Sequence, residues 1–378
     1  LFLNNPTGAQ RYLYFIGFDD LFADFFNCCI HVSDRNPYFT NYFFQSNYLP
    51  FVNMIFYPFS LLADYRHFSL ADCWNSNIAM FSCFIFILFG ILLLLHSILC
   101  LCRKYKTNKF IILTIIFSGV FLHTIERANI LLFSTAFLFY FLAFYDSENN
   151  YYSYFAAICL ALASVIKVYP VLYGLLYLND YKKNFRKILL SFITAFLLAF
   201  LPFLFFKHGF ENLPRLFEIL SGTETSYTNY ISRFDFKVCG YLFLRFFDLK
   251  DFAPSIIPVI KYFTYFISFL SLFFAFLIND YLKKMLLITM SVLYLPPFSW
   301  FYCSIYLIPL LIYYMRKNEN DNIKKITHFL FFLFFYSLFM PFGLGSVKNV
   351  DLRLIIINCV SFVIWIYNLI DSLIEIYK

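Results

Sequence analysis

Charge is scarce in this sequence: Asp, Glu, Lys and Arg make up 13% of its 378 residues, against about 25% in an ordinary soluble protein. A chain so poor in charge cannot clothe a soluble surface, and its 62% hydrophobic residues exceed what one soluble core could bury. It reads as a polytopic membrane protein. Glycine is scarce too, at 10 residues, and with no Gly-rich phosphate loop a nucleotide-binding turn is excluded. The ten cysteines include the adjacent Cys28 and Cys29 but no CxxC pair and no metal-ligand spacing, which predicts free, buried thiols. His31, His67 and His208 have no partner at ligand spacing, so neither a metal site nor a cofactor is expected. Internal repeats and low-complexity linkers are absent. Aromatics are abundant, with 57 Phe and 31 Tyr, a bias of composition that points to no chemistry. The net charge of +7 does not mark a nucleic-acid binder, because the basic residues are confined to short loops.

Residues 1–77 read as an extracytoplasmic segment. The chain begins at Leu1 and its first apolar run follows a polar stretch, so a first transmembrane helix is expected to be missing. Residues 1–47 are polar and aromatic, with Asp19, Asp20, Asp24 and Asp34 and then Asn36-Pro37-Tyr38. The apolar stretch 48–63 is short and broken by Pro50 and Pro58. Because proline disrupts a helix interior by about 3 kcal/mol, this stretch predicts an interfacial helical hairpin.

Residues 78–378 read as a multi-span transmembrane domain, and the fold class is an all-α polytopic helical bundle. Its spans are expected at roughly 78–102, 110–125, 127–145, 153–168, 169–179, 188–206, 254–279, 285–299, 300–314, 326–345 and 353–377, about 11 in all. Several are shorter than the ~20 residues of a full crossing. Neighbouring protein or a water-filled cavity must satisfy the backbone at their broken ends.

Orientation follows from the basic loops at 103–109, 179–187, 279–284 and 316–325, which these spans put on one side, the cytoplasmic one. Arg127, Lys167, the loop 207–253, the corner Pro296-Pro297-Phe298-Ser299-Trp300 and the turn 346–352 then share the other side with Asp24. Asp146–Asn150 is a cytoplasmic turn between two helices. The parity closes only if Val168-Tyr169-Pro170 is a reversal between two half-helices.

A charged side chain inside a spanning segment costs at least about 2.5–3.5 kcal/mol, which makes the few intramembrane charges candidates for a site. Asp24 follows an apolar pair and suits a general base whose pKa is raised by burial against aromatics; the bland alternative is a solvated aspartate or helix cap. Glu126 and Arg127 end a short apolar run just after His123. Arg presents a planar fork for two phosphate oxygens, though both residues could be interfacial anchors. Asn129 could join the same network. Lys167, the lone charge between Glu148 and Asp180, could bind a phosphate beside the break at Pro170 or snorkel to the interface. Ser299-Trp300-Phe301-Tyr302 suits carbohydrate stacking or an aromatic belt. The loop 207–253, with Lys207, Arg215, Glu218, Glu224, Arg233, Asp235 and Lys237, suits a lid or a connection.

These pieces stand in a definite order: FADFFN around Asp24, NPY at 36–38, SNYLPF at 46–51, ERANI at 126–130, LALASVIKVYP at 160–170 and, more weakly, PPFSWFY at 296–302. In that order the chain resembles the polyprenyl-phosphate-sugar-dependent glycosyltransferases of family eighty-seven, in the C-type superfamily, over roughly residues 20–210. Ala128 stands where those proteins have Gly, and Leu49 where a second Pro is common. The resemblance implies transfer of one mannose-like hexose, with inversion, from a polyprenyl-phosphate lipid donor to a glycan or glycolipid acceptor. The reaction would take place on the extracytoplasmic face of a bacterial inner membrane. It implies Asp24 as the base, Arg127 and Lys167 as ligands of the donor phosphate, and Glu126, Asn129 and Tyr169 in support, with Trp300, Tyr302 and Tyr38 as acceptor or sugar contacts. The residues by themselves leave two alternatives open: a transporter or flippase of an anionic lipid-linked substrate, and a polymerase of lipid-linked glycan.

Overall fold

The computed structural model describes residues 21–40, 45–222, 235–296, 299–318, 329–335, 346–347 and 350–377. In chain order its first helices are α1 (Ala23–Val32), α2 (Pro50–Ser60), α3 (Leu70–Asn75), α4 (Asn77–Tyr105), α5 (Ile111–Ile116), α6 (Gly119–Glu126), α7 (Leu131–Phe144) and α8 (Asn150–Ile166). They are followed by α9 (Leu175–Leu178), α10 (Tyr181–Phe200), α11 (Asn212–Gly222), α12 (Phe236–Phe246), α13 (Ala253–Leu277), α14 (Tyr281–Tyr294), α15 (Ile308–Asn318), α16 (329–335) and α17 (Leu352–Tyr377). The two-residue strands β1 (Ser346–Val347) and β2 (Val350–Asp351) pair antiparallel, and the other elements among the described residues are helical.

At the centre stands α7, whose residues are all buried except Phe137 and Phe144. A helix apolar on every side belongs inside a bundle, and α7 is packed between α4 and α8. At about 21 Å it is short for a crossing, so its ends must be satisfied by protein. The Asn129 Oδ1 accepts the Leu131 amide at one end, and the Lys104 Nζ donates to the Leu142 carbonyl at the other. Helices α4 and α7 run parallel, as the pairs Phe86–Phe133, His96–Tyr140 and Lys104–Asp146 show in sequence. The chain returns between them through α5 and α6.

Among the described residues, four helices are long and apolar enough to cross a membrane: Asn77–Tyr105, Tyr181–Phe205, Lys250–Leu277 and Ile356–Tyr377. Shorter apolar helices accompany them at Leu131–Phe144, Asn150–Ile166, Tyr169–Leu178 and Phe301–Arg316. The span expected at 110–125 is split into α5 and α6 where Ser118 accepts the Phe121 amide and caps a new helix. The expected hairpin at 48–63 is instead the single helix α2. Pro50 occupies its first turn, where no amide bond is required, and Pro58 lies near its end, so neither proline breaks it.

The reversal after α8 is present. Lys167 is extended, with φ −139° and ψ 123°, and Tyr169–Gly174 and α9 fold back until the Tyr177 hydroxyl meets the Ser153 carbonyl near the start of α8. Consequently α6's end, α7's start and α8's end lie at one end of the bundle. The basic loops gather at the other: Lys104 pairs with Asp146, Tyr105 bonds Tyr281, Thr107 bonds the Ile312 carbonyl and Asn184 bonds the Tyr177 carbonyl.

Several expectations fall outside the described residues: Asp19, Asp20, Glu224, Arg233, Pro297, Phe298, loop residues 319–325 and most of the span 326–345. The thiols are not all buried. Cys239 and Cys303 are partly exposed and Cys359 is exposed.

Gly90 sets the spacing of α4 and α7, since a Cβ there would come within 3.1 Å of Leu132 and Phe133. We predict that Gly90→Leu lowers stability by roughly 1–3 kcal/mol, read as a reduced unfolding temperature in detergent. Unchanged unfolding would mean that the two helices do not pack at this point.

Candidate functional site

The site begins with how α6 stops. The Ala128 amide donates to the Ile125 carbonyl at 2.8 Å and the Asn129 amide to the Thr124 carbonyl at 3.3 Å, while Ala128 has φ +47°. This is a Schellman ending, in which one residue in the left-handed conformation closes the helix and which usually recruits Gly. Ala128 meets that requirement at the expense of backbone strain. The carbonyls left over at the end of α6 are met by the amides at the start of α1. The Phe22 amide donates to the Glu126 carbonyl at 2.7 Å and the Asp24 amide to the Arg127 carbonyl at 3.2 Å.

That junction sets the Asp24 carboxylate beside residues 127 and 129. The Arg127 Nη2 donates to its Oδ1 at 2.6 Å, and the Asn129 Nδ2 to its Oδ2 at 2.6 Å. Because Asn129 uses its oxygen to cap α7, its amide nitrogen is the atom left to face Asp24. The Arg127 and Asp24 side chains are 20% and 18% exposed, neither sealed nor solvated. Burial pushes the Asp24 carboxyl up. The charge and hydrogen bond of Arg127, the Asn129 hydrogen bond and the charge of Lys167 outweigh it and hold the group below the usual carboxylate range. The raised pKa expected from burial against aromatics is thereby reversed, since cations sit closer to the carboxylate than that argument allowed.

Lys167 ends α8, and its Nζ lies 4.6 Å from the centre of the Tyr48 ring, a cation–π contact. The Tyr48 hydroxyl also lies beside Asn129, so one tyrosine stands between the ammonium and the Asp24 network. Tyr302 closes the group: its hydroxyl accepts from the Asn129 Nδ2 at 3.3 Å, and its ring stacks near-parallel on Trp300 at 6.5 Å. Thus Asp24, Arg127, Asn129, Lys167 and Tyr302 converge, with Trp300 alongside.

The other expected residues stand apart from this group. Glu126 is buried and bonds His123, its Oε2 2.6 Å from Nδ1, and the His123 ring lies 5.6 Å from that of Tyr302. Tyr38 is wholly buried, its hydroxyl donating to the Tyr48 carbonyl and accepting from Asn53; it holds Tyr48 rather than offering a surface to a sugar. Tyr169 is half-buried in the turn after Lys167. Tyr48 itself was not singled out from the sequence, where SNYLPF supplied the only hint.

Beside the site, the Arg35 guanidinium donates to the Phe205 carbonyl, the Lys207 amide donates to the Arg35 carbonyl and Arg215 bonds Gln45 at 2.9 Å. The first part of the long loop therefore docks on the segment that leads into Tyr48. Among the described residues no group of three or more His, Cys, Asp or Glu is placed to hold a metal ion.

The sequence model of glycosyltransferase family 87 matches residues 47–341. The match takes in Tyr48, Arg127, Asn129, Lys167 and Tyr302, while Asp24 and Tyr38 precede its start. No curated protein and no solved structure matches the chain.

Ala128 permits a test of the helix ending. Relief of left-handed strain, about 1–2 kcal/mol, opposes the loss of a buried methyl worth about 0.8 kcal/mol. We predict that Ala128→Gly unfolds at the same temperature or higher, whereas Ala128→Val, branched where φ is positive, unfolds well below. A Val variant as stable as the parent would refute the left-handed ending.

Proposed function

This chain belongs to glycosyltransferase family 87, and from that premise we propose that it is a polytopic membrane hexosyltransferase using a polyprenyl-phosphate-linked donor. It moves one mannose-like hexose, with inversion, to a hydroxyl of a glycan or glycolipid at the extracytoplasmic face. The observation that carries this reading is the meeting of one carboxylate, Asp24, with two cations, Arg127 and Lys167, at the end of the bundle away from the basic loops. The positive-inside rule makes the basic end cytoplasmic. Membership of a glycosyltransferase family sets the transporter reading aside, and growth of the product by one sugar rather than by repeats is what would separate this enzyme from a polymerase.

The donor keeps its tail in lipid and its phosphate at the interface, within reach of Lys167 and Arg127. A guanidinium carries five N–H donors in a planar fork, so Arg127 can hold Asp24 and meet a phosphate oxygen together. As the bond from the anomeric carbon to phosphate breaks, the electron pair stays on the phosphate oxygen, where two cations stabilise it. The acceptor oxygen forms the new bond from the opposite face and its proton passes to Asp24. An oxocarbenium-like centre acidifies the attacking hydroxyl, so a carboxylate of low pKa is base enough. Lowering the pKa also keeps it ionised when an anionic donor arrives. The near-parallel rings of Trp300 and Tyr302 supply a face for the sugar, and Tyr169 supports the turn that carries Lys167.

In vesicles supplied with lipid-linked donor, Asp24→Asn is expected to reduce transfer by about 10²–10⁴-fold while the protein still inserts. Full activity in that variant would remove Asp24 as the base. Arg127→Gln takes away the strongest of the influences that lower the Asp24 pKa and leaves the burial that raises it, so the acid limb of the pH–activity profile is predicted to move to higher pH. An acid limb that stays put would show that Arg127 does not govern the Asp24 proton.

A further inference from the structure

Seven of the ten cysteines are buried, and Cys239, Cys303 and Cys359 are not. Cys303 follows Tyr302 directly and belongs with the site already described. The other two lie on different helices, Cys239 on α12 and Cys359 on α17, but these helices pack together and each thiol acts directly on the other.

Ring packing fixes that approach. Phe236, one helical turn before Cys239 and on the same face, stacks on Tyr294 at 4.0 Å and 11°. It also meets Phe362 edge-on at 5.5 Å and lies 6.1 Å from Trp365. Phe362 and Trp365 follow Cys359 by one and two helical turns, so Phe236 faces Phe362 and Trp365 while Cys239 faces Cys359. The buried Trp365 donates its Nε1 to the Ser271 hydroxyl at 2.7 Å, which fixes the rotation of α17 against α13. The thiol contact is thus a consequence of helix register.

The far end of α17 is tied to the basic end of the bundle, where Asp371 and Glu375 bind Lys283. Cys359, near the start of α17, therefore lies toward the end that holds Asp24. Under the orientation proposed above, on which this inference rests, that end faces an extracytoplasmic compartment, where disulfides form and persist.

We propose that Cys239 and Cys359 form a disulfide that fastens the returning end of loop 207–253 to the last helix. The oxidant is a dithiol-disulfide carrier. One cysteine thiolate attacks the carrier disulfide to give a mixed disulfide, and the second displaces the carrier sulfur. The carrier leaves as a dithiol with the two electrons and two protons that the cysteines give up.

The test uses the full chain in its native membranes, dissolved in denaturant without reductant and alkylated with one maleimide, then reduced and alkylated with a heavier one. The expected result is the heavy label on Cys239 and Cys359, a single cross-linked peptide before reduction, and loss of the heavy label from Cys359 in Cys239→Ser. The light label on both cysteines of the parent protein would overturn the disulfide. Orientation is read separately with Glu211→Cys, which lies in the same loop and is highly exposed. Labelling of that cysteine by a membrane-impermeant reagent from outside intact cells supports the premise. Its labelling only in inverted vesicles would overturn the orientation and this inference with it, whereas outside labelling together with light-labelled Cys239 and Cys359 would overturn the disulfide alone.

Discussion

Two helix ends that could not stand alone meet where α6 stops and α1 starts. The last carbonyls of a helix and the first amides of the next lack partners within their own helices, and leaving them unmet in apolar surroundings is costly. Here they serve each other: Phe22 and Asp24 donate to the carbonyls of residues 126 and 127. The backbone join brings a carboxylate from early in the chain against a guanidinium 103 residues later. It also turns the Asn129 amide toward that carboxylate. The charged site is therefore a by-product of helix ending, held by main-chain bonds that do not depend on any substrate.

The rest of the bundle is arranged around this join. α7 is apolar on all sides and short, so it can exist only where α4 and α8 cover it and where Asn129 and Lys104 meet its ends. The same constraint makes α8 stop at Lys167 and reverse, because continuing past Pro170 as a helix would leave a carbonyl without a donor. Lys167 is in consequence brought to the level of Arg127, and the basic loops collect at the other end of the molecule. An electrostatic polarity along the bundle follows from where short helices are allowed to end.

Tyr48 shows how the peripheral segments serve that arrangement. Its carbonyl accepts from Tyr38, which is in turn bonded by Asn53, and Ser46 joins Asn53 at 2.9 Å. The buried chain of polar contacts leaves the Tyr48 ring under the Lys167 ammonium and its hydroxyl beside Asn129. The loop after α10 docks on the same segment through Arg35, Lys207 and Arg215, which couples the position of Tyr48 to that of the loop.

The amino-acid sequence by itself determined the kind of molecule and the residues worth watching. Low charge and long apolar runs require a helical membrane bundle, and charges at span ends single out Arg127 and Lys167 because insertion disfavours them anywhere else. The order of short motifs also pointed to the family, and the break at Pro170 to a reversal. Only the tertiary structure decided the partners. Glu126 stands next to Arg127 in the chain, but a helix turns its side chain toward His123, so Arg127 is given to Asp24 instead. The sign of the Asp24 pKa shift depended on distances to three side chains from other helices, which no local pattern encodes. Tyr38 and Tyr48 were indistinguishable as aromatic residues, and only packing made one a buried strut and the other a neighbour of the ammonium. Local sequence specifies where a helix ends; which ends meet is settled by the pairing of backbone groups that would otherwise be left without partners.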